Sequence, residues 1–421
     1  MALFGALSTG RSGLTNSGAA LSVIGNNIAN VGTVGFKGSR TEFADLISAD
    51  AGGEIGKIGL GARIGAVRTL FTQGAIESTG RSLDLGIQGV GFFVLQDGQG
   101  QLFSRAGNFQ LEPDGTVTNL TGKALQGTPI NEDLTPSGGI QDVTVAGLAS
   151  QARATTSATL RGNLQSDDVL KGPFNPATFQ SAHATSNYAT SVHVFDSLGQ
   201  GHDLSIFFTR SGTNTWDLNI GVDAGDTGGT PGDLQILSSG SINFGTDGTV
   251  ASVTGNTLTA NFVGATPGQS ITFGLGTAGA LDGLGQFAGP SGISFVAQDG
   301  FGAGGLTSLS VDELGVVTAT FDNGQTRPLF QLAIAQFAAP EGLTPAGNQV
   351  YRASLASGPA AIATAGTVGN GTIVSSALEQ SNVQIAQEFI ELISTQRAFQ
   401  ANTRVITASD QLLGDLINII R

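Results

Sequence analysis

Three histidines, 32 acidic side chains and no cysteine are the raw material for a chemical site in this 421-residue chain. Without thiols there is no disulfide framework, no thiolate metal site and no cysteine nucleophile. The histidines, His183, His193 and His202, form no H-E-x-x-H pattern, the spacing that sets two imidazoles on one helix face around zinc. His193 and His202 flank a turn in VFDSLGQGH and read as two surface side chains rather than metal ligands. A G-x-G-x-x-G match at Gly300, Gly302 and Gly305 lacks the setting that nucleotide binding needs. The residues after it, LTSLSVDELG, read as a strand, not as a helix opening at a pyrophosphate. With 64 glycines, such a match is expected by chance. There is no G-x-S-x-G elbow and no P-loop, and the Asp/Gly-rich segments do not repeat as the nonapeptides of a calcium β-roll. A secreted, β-rich carbohydrate-active enzyme working through two carboxylates is the enzymatic alternative that remains. No catalytic residue, cofactor or metal ligand is assigned.

Composition narrows the class further. Hydrophobic residues make up 40% of the chain, enough for cores, while charged residues reach only 12%. The length suggests two to four domains. A formal net charge of -14 repels phosphate backbones and argues against nucleic-acid binding. No window of about 20 apolar residues is present, so no membrane insertion is expected. The N-terminus, MALFGALSTGRSGLTNSG, has no basic region ahead of an apolar core, so it does not read as a standard secretory signal. Export, if it occurs, is expected to leave that N-terminus in place.

The two ends carry heptads. Leu7, Leu14, Leu21 and Ile28 recur every seven residues, with a companion series Leu3, Gly10, Ser17 and Ile24. Leu392, Phe399, Ile406, Leu413 and Ile420 repeat the pattern at the C-terminus, beside Phe389, Gln396, Thr403, Asp410 and Ile417. Spacing of this kind makes a helix with a narrow apolar seam that cannot bury itself alone. The C-terminal helix is expected over residues 381–420, about 60 Å at roughly 1.5 Å per residue, with Ser381 as its cap. Pairing of the two end helices, then packing against copies in neighbouring subunits, is the economical solution.

The middle alternates with period two. Leu204, Ile206 and Phe208 are one such run, and Trp216, Leu218, Ile220 and Val222 another; Leu258, Ala260, Phe262 and Ile271, Phe273, Leu275 follow. Turn signals at Ser211-Gly212, Asp247-Gly248, Pro267-Gly268 and Asn323-Gly324 separate these strands, the last as a hairpin. The expected fold is therefore multidomain α+β: paired, coiled-coil-like terminal helices with inserted, mainly antiparallel β domains of sandwich or barrel type. The expected division is a helical core from 1–31 and 377–421, a linker or hairpin region at 32–72, an intermediate β domain from 73–145 and 289–376, and an outer β domain at 146–288. The glycine-rich stretch at 52–65 serves either as a flexible link or as a turn-rich hairpin.

Three blocks carry a specific resemblance. SVIGNNIANVGTVGFKGSR resembles the N-terminal signature of flagellar rod and hook axial proteins, through Asn26, Asn27, Ile28, Ala29, Asn30, Thr33, Gly35, Phe36 and Lys37. Gly32 stands where that family often has Asn. GVGFFVLQDGQGQLFSRAGNFQLEPDGTVTN is similar to the family's G-x-G-F-F and R-A-G-N-F segment, with Arg105, Gly107 and Asn108 in the turn. EFIELISTQRAFQANTRVITASDQLLGDLIN resembles its closing helix, with Gln396, Arg397, Phe399 and Asn402 in the core of the block. The added central region, including VFDSLGQGHDLSIFF, places the chain nearer the hook branch than a distal rod-type protein with a large insertion. The resemblance implies a non-enzymatic subunit of a flexible helical homopolymer that carries motor torque to the filament. It also implies partners in the rod, the hook cap and the hook–filament junction. Export would run through the flagellar type III apparatus to an extracellular position on the basal body and hook.

Overall fold

The computed structural model describes residues 2–46, 61–98, 100–367 and 369–420, with the side chains of 2–4, 413 and 415–420 outside that description. Most of the glycine-rich stretch at 52–65, and the side chains of Leu3, Leu413, Ile417 and Ile420, therefore lie outside the described residues. The chain divides into two units: residues 1–147 with 308–320 and 326–421, and residues 148–307 with 321–325.

In the first unit, helix α1 runs over Ala2–Ala29. Its partner is the long C-terminal helix, Ile385–Ile420. The two lie antiparallel: a Cβ on Gly10 would stand 3.1 Å from Ile406 Cγ1, and one on Gly13 would stand 2.5 Å from Asn402 Nδ2. The C-terminal helix begins four residues later than its sequence pattern suggests. Asn382 explains the delay. Its Nδ2 donates to the carbonyls of Leu70 at 2.7 Å and Thr72 at 3.2 Å, and its Oδ1 accepts from the Gly38 N–H at 2.8 Å. That side chain ties residues 382–384 to neighbouring loops instead of letting them start the helix.

Ser39–Asp45 pairs antiparallel with Ala62–Thr69. The main sheet of this unit runs through Val316–Phe321, Thr326–Gln336, Ala124–Pro129, Phe92–Asp97, Gly100–Ser104 and Val350–Arg352. Phe92, Phe93, Val94 and Leu95 are all buried, which a strand shows when it is covered on both faces. Phe92, Phe103 and Phe337 meet edge-on, with ring centroids 5.8 Å (Phe92–Phe337) and 4.8 Å (Phe103–Phe337) apart. The expected hairpin forms, with Val316 opposite Gln331 and Thr320 opposite Thr326, and its turn holds Gly324 at φ 77°.

The second unit is a pair of sheets around one core. Tyr188–Phe195, Gly201–Gly212, Thr215–Asp223, Leu234–Phe244 and Val250–Val253 make an antiparallel meander. Thr257–Ala260, Gln269–Gly274, Ser157–Gln165, Leu284–Phe287 and Gly292–Gln298 make the other sheet. Every member of the four alternating runs read from the sequence is buried between the sheets. Two features depart from expectation. Ser157–Gln165 pairs parallel with Gln269–Gly274 and with Leu284–Phe287, so the sheet is mixed. Gly292–Gln298, expected in the intermediate domain, pairs antiparallel with Ser157–Gln165 and belongs to this unit. This unit also carries one short helix, α2, at Phe179–Thr185, between Ser157–Gln165 and Tyr188–Phe195 in the chain, with a Thr178–Ser181 capping box. The C-terminal helix is α3.

Candidate functional site

The chain leaves α1 through a turn built from the asparagine-rich motif. The Asn30 N–H donates to the carbonyls of Asn26 and Asn27, its Nδ2 donates to Asn26 O at 2.9 Å, and Thr33 Oγ1 donates to Asn30 Oδ1 at 3.1 Å. Gly35 follows with φ 68°, and a Cβ there would lie 2.5 Å from the Ala106 nitrogen. Only glycine combines that backbone with that approach. Gly35→Ala is therefore expected to cost at least about 1–2 kcal/mol from the left-handed backbone alone. Calorimetric unfolding of the full chain checks this, with the loss confined to the first unit.

Two residues on, Lys37 is buried beneath this turn. Its Nζ stands 2.6 Å from Glu379 Oε1 and 2.7 Å from Thr72 O. Glu379 Oε1 also accepts from the Gly74 N–H at 2.8 Å, and the Glu379 carbonyl accepts from the Gly35 N–H at 2.7 Å. Arg105 closes the other side. Its Nη1 is 3.3 Å from Glu379 Oε2, and its Nη2 donates to Gly89 O at 2.6 Å. Both Lys37 and Glu379 have fully buried side chains. Burial pulls the Lys37 ammonium below its usual pKa, against the opposing pull of Glu379, and Arg105 adds to the lowering. Burial likewise lowers the Arg105 guanidinium, again opposed by Glu379. Two cations share one carboxylate, so the knot carries a net charge of about +1 in a low-dielectric setting.

A second knot fastens the helices. Asn27 Nδ2 donates to Ser39 O at 2.8 Å and to Glu388 Oε1 at 3.0 Å, while its Oδ1 accepts from the Ser39 N–H. Burial raises the Glu388 carboxyl, the Asn27 hydrogen bond opposes that rise and the Glu391 charge adds to it. Together the two knots bind the N-terminal, middle and C-terminal motif blocks into one joint. The ion pairs and hydrogen bonds in them tie one segment of the chain to another, which is a mechanical role.

Among the other sequence-predicted residues, Gly107 faces Leu85, whose carbonyl oxygen would lie 1.8 Å from a Cβ there, and Asn108 bridges to Asp84. Phe36 is half-buried, Gln396 and Arg397 are exposed, and Asn402 is half-buried against Gly13. Leu7, Leu14, Leu21 and Ile28 are only half-buried, as are Leu392, Phe399 and Ile406. It is the companion series, Gly10, Ser17 and Ile24, that is buried on α1. Its small members let the helices approach closely. On α3, Ile385, Phe389 and Ile393, spaced four residues apart, form a row that is 48%, 48% and 49% exposed. Glu379 and Asn382 were not marked by spacing, because no local pattern precedes them. His202, expected at the surface, is buried: its ring stacks on Phe262 with centroids 3.9 Å apart, between Asp196 at 3.4 Å and Asp226 at 3.0 Å. His193 is exposed beside Asp203, and the described residues hold no cluster suited to a metal.

Comparison with known proteins agrees with this arrangement. Four family profiles match in order: a flagella basal body rod protein at residues 7–37, the flagellar hook protein FlgE/F/G D1 domain at 86–151, the flagellar basal body protein FlaE D2 domain at 163–301, and the flagellar basal body rod FlgEFG protein C-terminal region at 374–419. The flagellar hook protein FlgE of Escherichia coli is 35% identical, over 98% of this chain and 100% of that protein. The chain belongs to the flagellar hook protein family. The hook protein of Treponema pallidum is also 35% identical, over 99% of each chain. A crystal structure of Helicobacter pylori flagellar hook protein FlgE2 covers 72% of this chain and all of that one, at 15% identity and a TM-score of 0.48. As a hook-family member, the chain is a structural subunit of the flagellum and not an enzyme, and neither the rod-type nor the carbohydrate-active alternative is favoured.

Proposed function

We propose that this hook subunit self-assembles into a flexible helical tube whose seam is the pair of terminal helices, packed in coiled-coil fashion against those of neighbouring copies. One observation carries the reading. Apolar rows on both helices stay open in the single chain: Leu7, Leu14 and Leu21 are half-covered, and Ile385, Phe389 and Ile393 are about half-exposed. Covering the exposed half of each would contribute roughly 1 kcal/mol, and a second copy offers a matching stripe. In this reading residues 1–31 and 377–421 form the helical core. Residues 73–147 and 308–376 form the intermediate part, and the unit at 148–307 forms the outer part. The assembly transmits motor torque to the filament from an extracellular position. It meets the rod, the hook cap and the hook–filament junction, and its subunits leave through the flagellar type III apparatus.

Electron microscopy of basal structures from a strain lacking this gene tests the role. Complete rods without hook or filament are the expected result. Truncated rods would reassign the chain to the rod, and intact hooks would overturn the proposal.

A further inference from the structure

Beside the buried knot, in the same unit, is a cavity of about 330 Å³. Phe71, Val90, Phe92, Phe337, Pro340 and Arg105 contribute to its wall. That volume sits at the bottom of the roughly 300–1,000 Å³ usual for small-molecule sites, so it suits a side chain or two. Arg105 is 3% exposed, lies over the Phe92 ring at 5.5 Å from its centroid, and keeps a buried Nε without a hydrogen-bond partner. An apolar cavity walled partly by an incompletely satisfied guanidinium, next to a buried surplus of positive charge, favours an apolar group that arrives with a carboxylate.

The same unit presents such a group. Leu134 is 56% exposed and has φ 63°, a backbone conformation that a branched apolar side chain rarely adopts. A tight hydrogen-bonded loop holds it there. Its N–H donates to Asn131 O at 3.0 Å, the Asn131 N–H donates to Thr135 O at 2.9 Å, and Asp133 Oδ1 accepts from Thr135 Oγ1 at 2.6 Å. Glu132 and Asp133 precede it. Glycine or asparagine would fit the turn better, so the backbone gains nothing from leucine here. We propose that the cavity beside Arg105 receives Leu134, with its acidic neighbours Glu132 and Asp133, from a second copy of the chain. This contact rests on the assembly reading and names one of its interfaces.

The absence of cysteine makes the test clean. Val90→Cys and Leu134→Cys are placed in one chain, the chain is polymerised and then oxidised. A disulfide requires Cβ atoms within about 4.5 Å, so a ladder of cross-linked chains in the polymer, absent from dilute monomer, is the expected result. If the double variant does not assemble, the two single variants are co-polymerised and read in the same way. Normal tubes with both thiols free overturn the contact and leave the assembly reading standing. Cross-linking through a Leu314→Cys variant instead, the other exposed leucine after an acidic pair, also overturns it. Failure of the unsubstituted chain to polymerise removes both. In parallel, Leu134→Asn should raise the melting temperature of the monomer while raising the critical concentration for assembly at least about tenfold. An unchanged critical concentration counts against the proposal.

Discussion

Glu379→Gln is expected to destabilise the unit built from both chain ends by at least about 3–5 kcal/mol, the usual cost of removing one member of a buried ion pair. The change leaves the Lys37 ammonium and the Arg105 guanidinium buried together without a counter-charge. It also weakens acceptance from the Gly74 N–H. Calorimetry of the full chain would show the first unit melting early while the second, with its own core, keeps its transition. Replacing all three charges with apolar residues, as Lys37→Met, Arg105→Met and Glu379→Leu, should be far milder, because no orphan charge remains.

The pH dependence has a definite sign. Burial holds the Lys37 pKa below its ordinary 10.5, so the folded chain binds fewer protons than the unfolded chain between those two values. Stability attributable to Lys37 therefore rises with pH across that alkaline window. In Glu379→Gln the raising pull of the carboxylate is gone, and the window reaches to lower pH. The deficit against the unsubstituted chain should narrow from about pH 7 toward about pH 10, as Lys37 sheds its proton and Arg105 keeps its own. A deficit that widens over that range would contradict the charge account.

Ile406→Asp is expected to weaken assembly severely while the second unit stays folded. Ile406 lies against Gly10 of α1 and is half-buried in the single chain. An aspartate there forfeits roughly 1.5–3 kcal/mol of apolar burial and adds the desolvation of a carboxylate. Because the same contact recurs in every subunit, the critical concentration should rise more than about a hundredfold. Sedimentation of the assembled fraction reads the effect, and normal polymer yield from the variant would remove the helices from the seam.

Strands and helices were legible because their periods are local. Trp216, Leu218, Ile220 and Val222 alternate, and all four are fully buried as alternation requires. The heptads marked both helices. They did not reveal which series faces the partner, since that depends on how closely two backbones approach, and Gly10, Gly13 and Ser17 set the approach. The joint was half-visible: Lys37 and Arg105 stand in recognisable blocks, whereas Glu379 meets Lys37 across 342 residues of sequence. No spacing rule reaches that far. The burial of His202 is hidden from local sequence for a related reason: the ring that covers it, Phe262, comes from the loop after Thr257–Ala260, some 60 residues along the chain. The parallel pairing of Ser157–Gln165 was hidden as well, since a parallel partner is joined by a long crossover rather than a turn.

Hydrogen exchange of α3, measured on the same chain as dilute monomer and as polymer, decides whether the terminal helices form the seam. Helices whose apolar rows await a second copy have low local stability. Rapid exchange at Phe399 and Ile406 is expected in the monomer, with strong protection in the polymer. Trp216, Leu218 and Ile220 should stay protected in both. Equal protection of α3 in the two states would contradict this expectation, because the terminal helices would then be complete within one chain and would not form the seam.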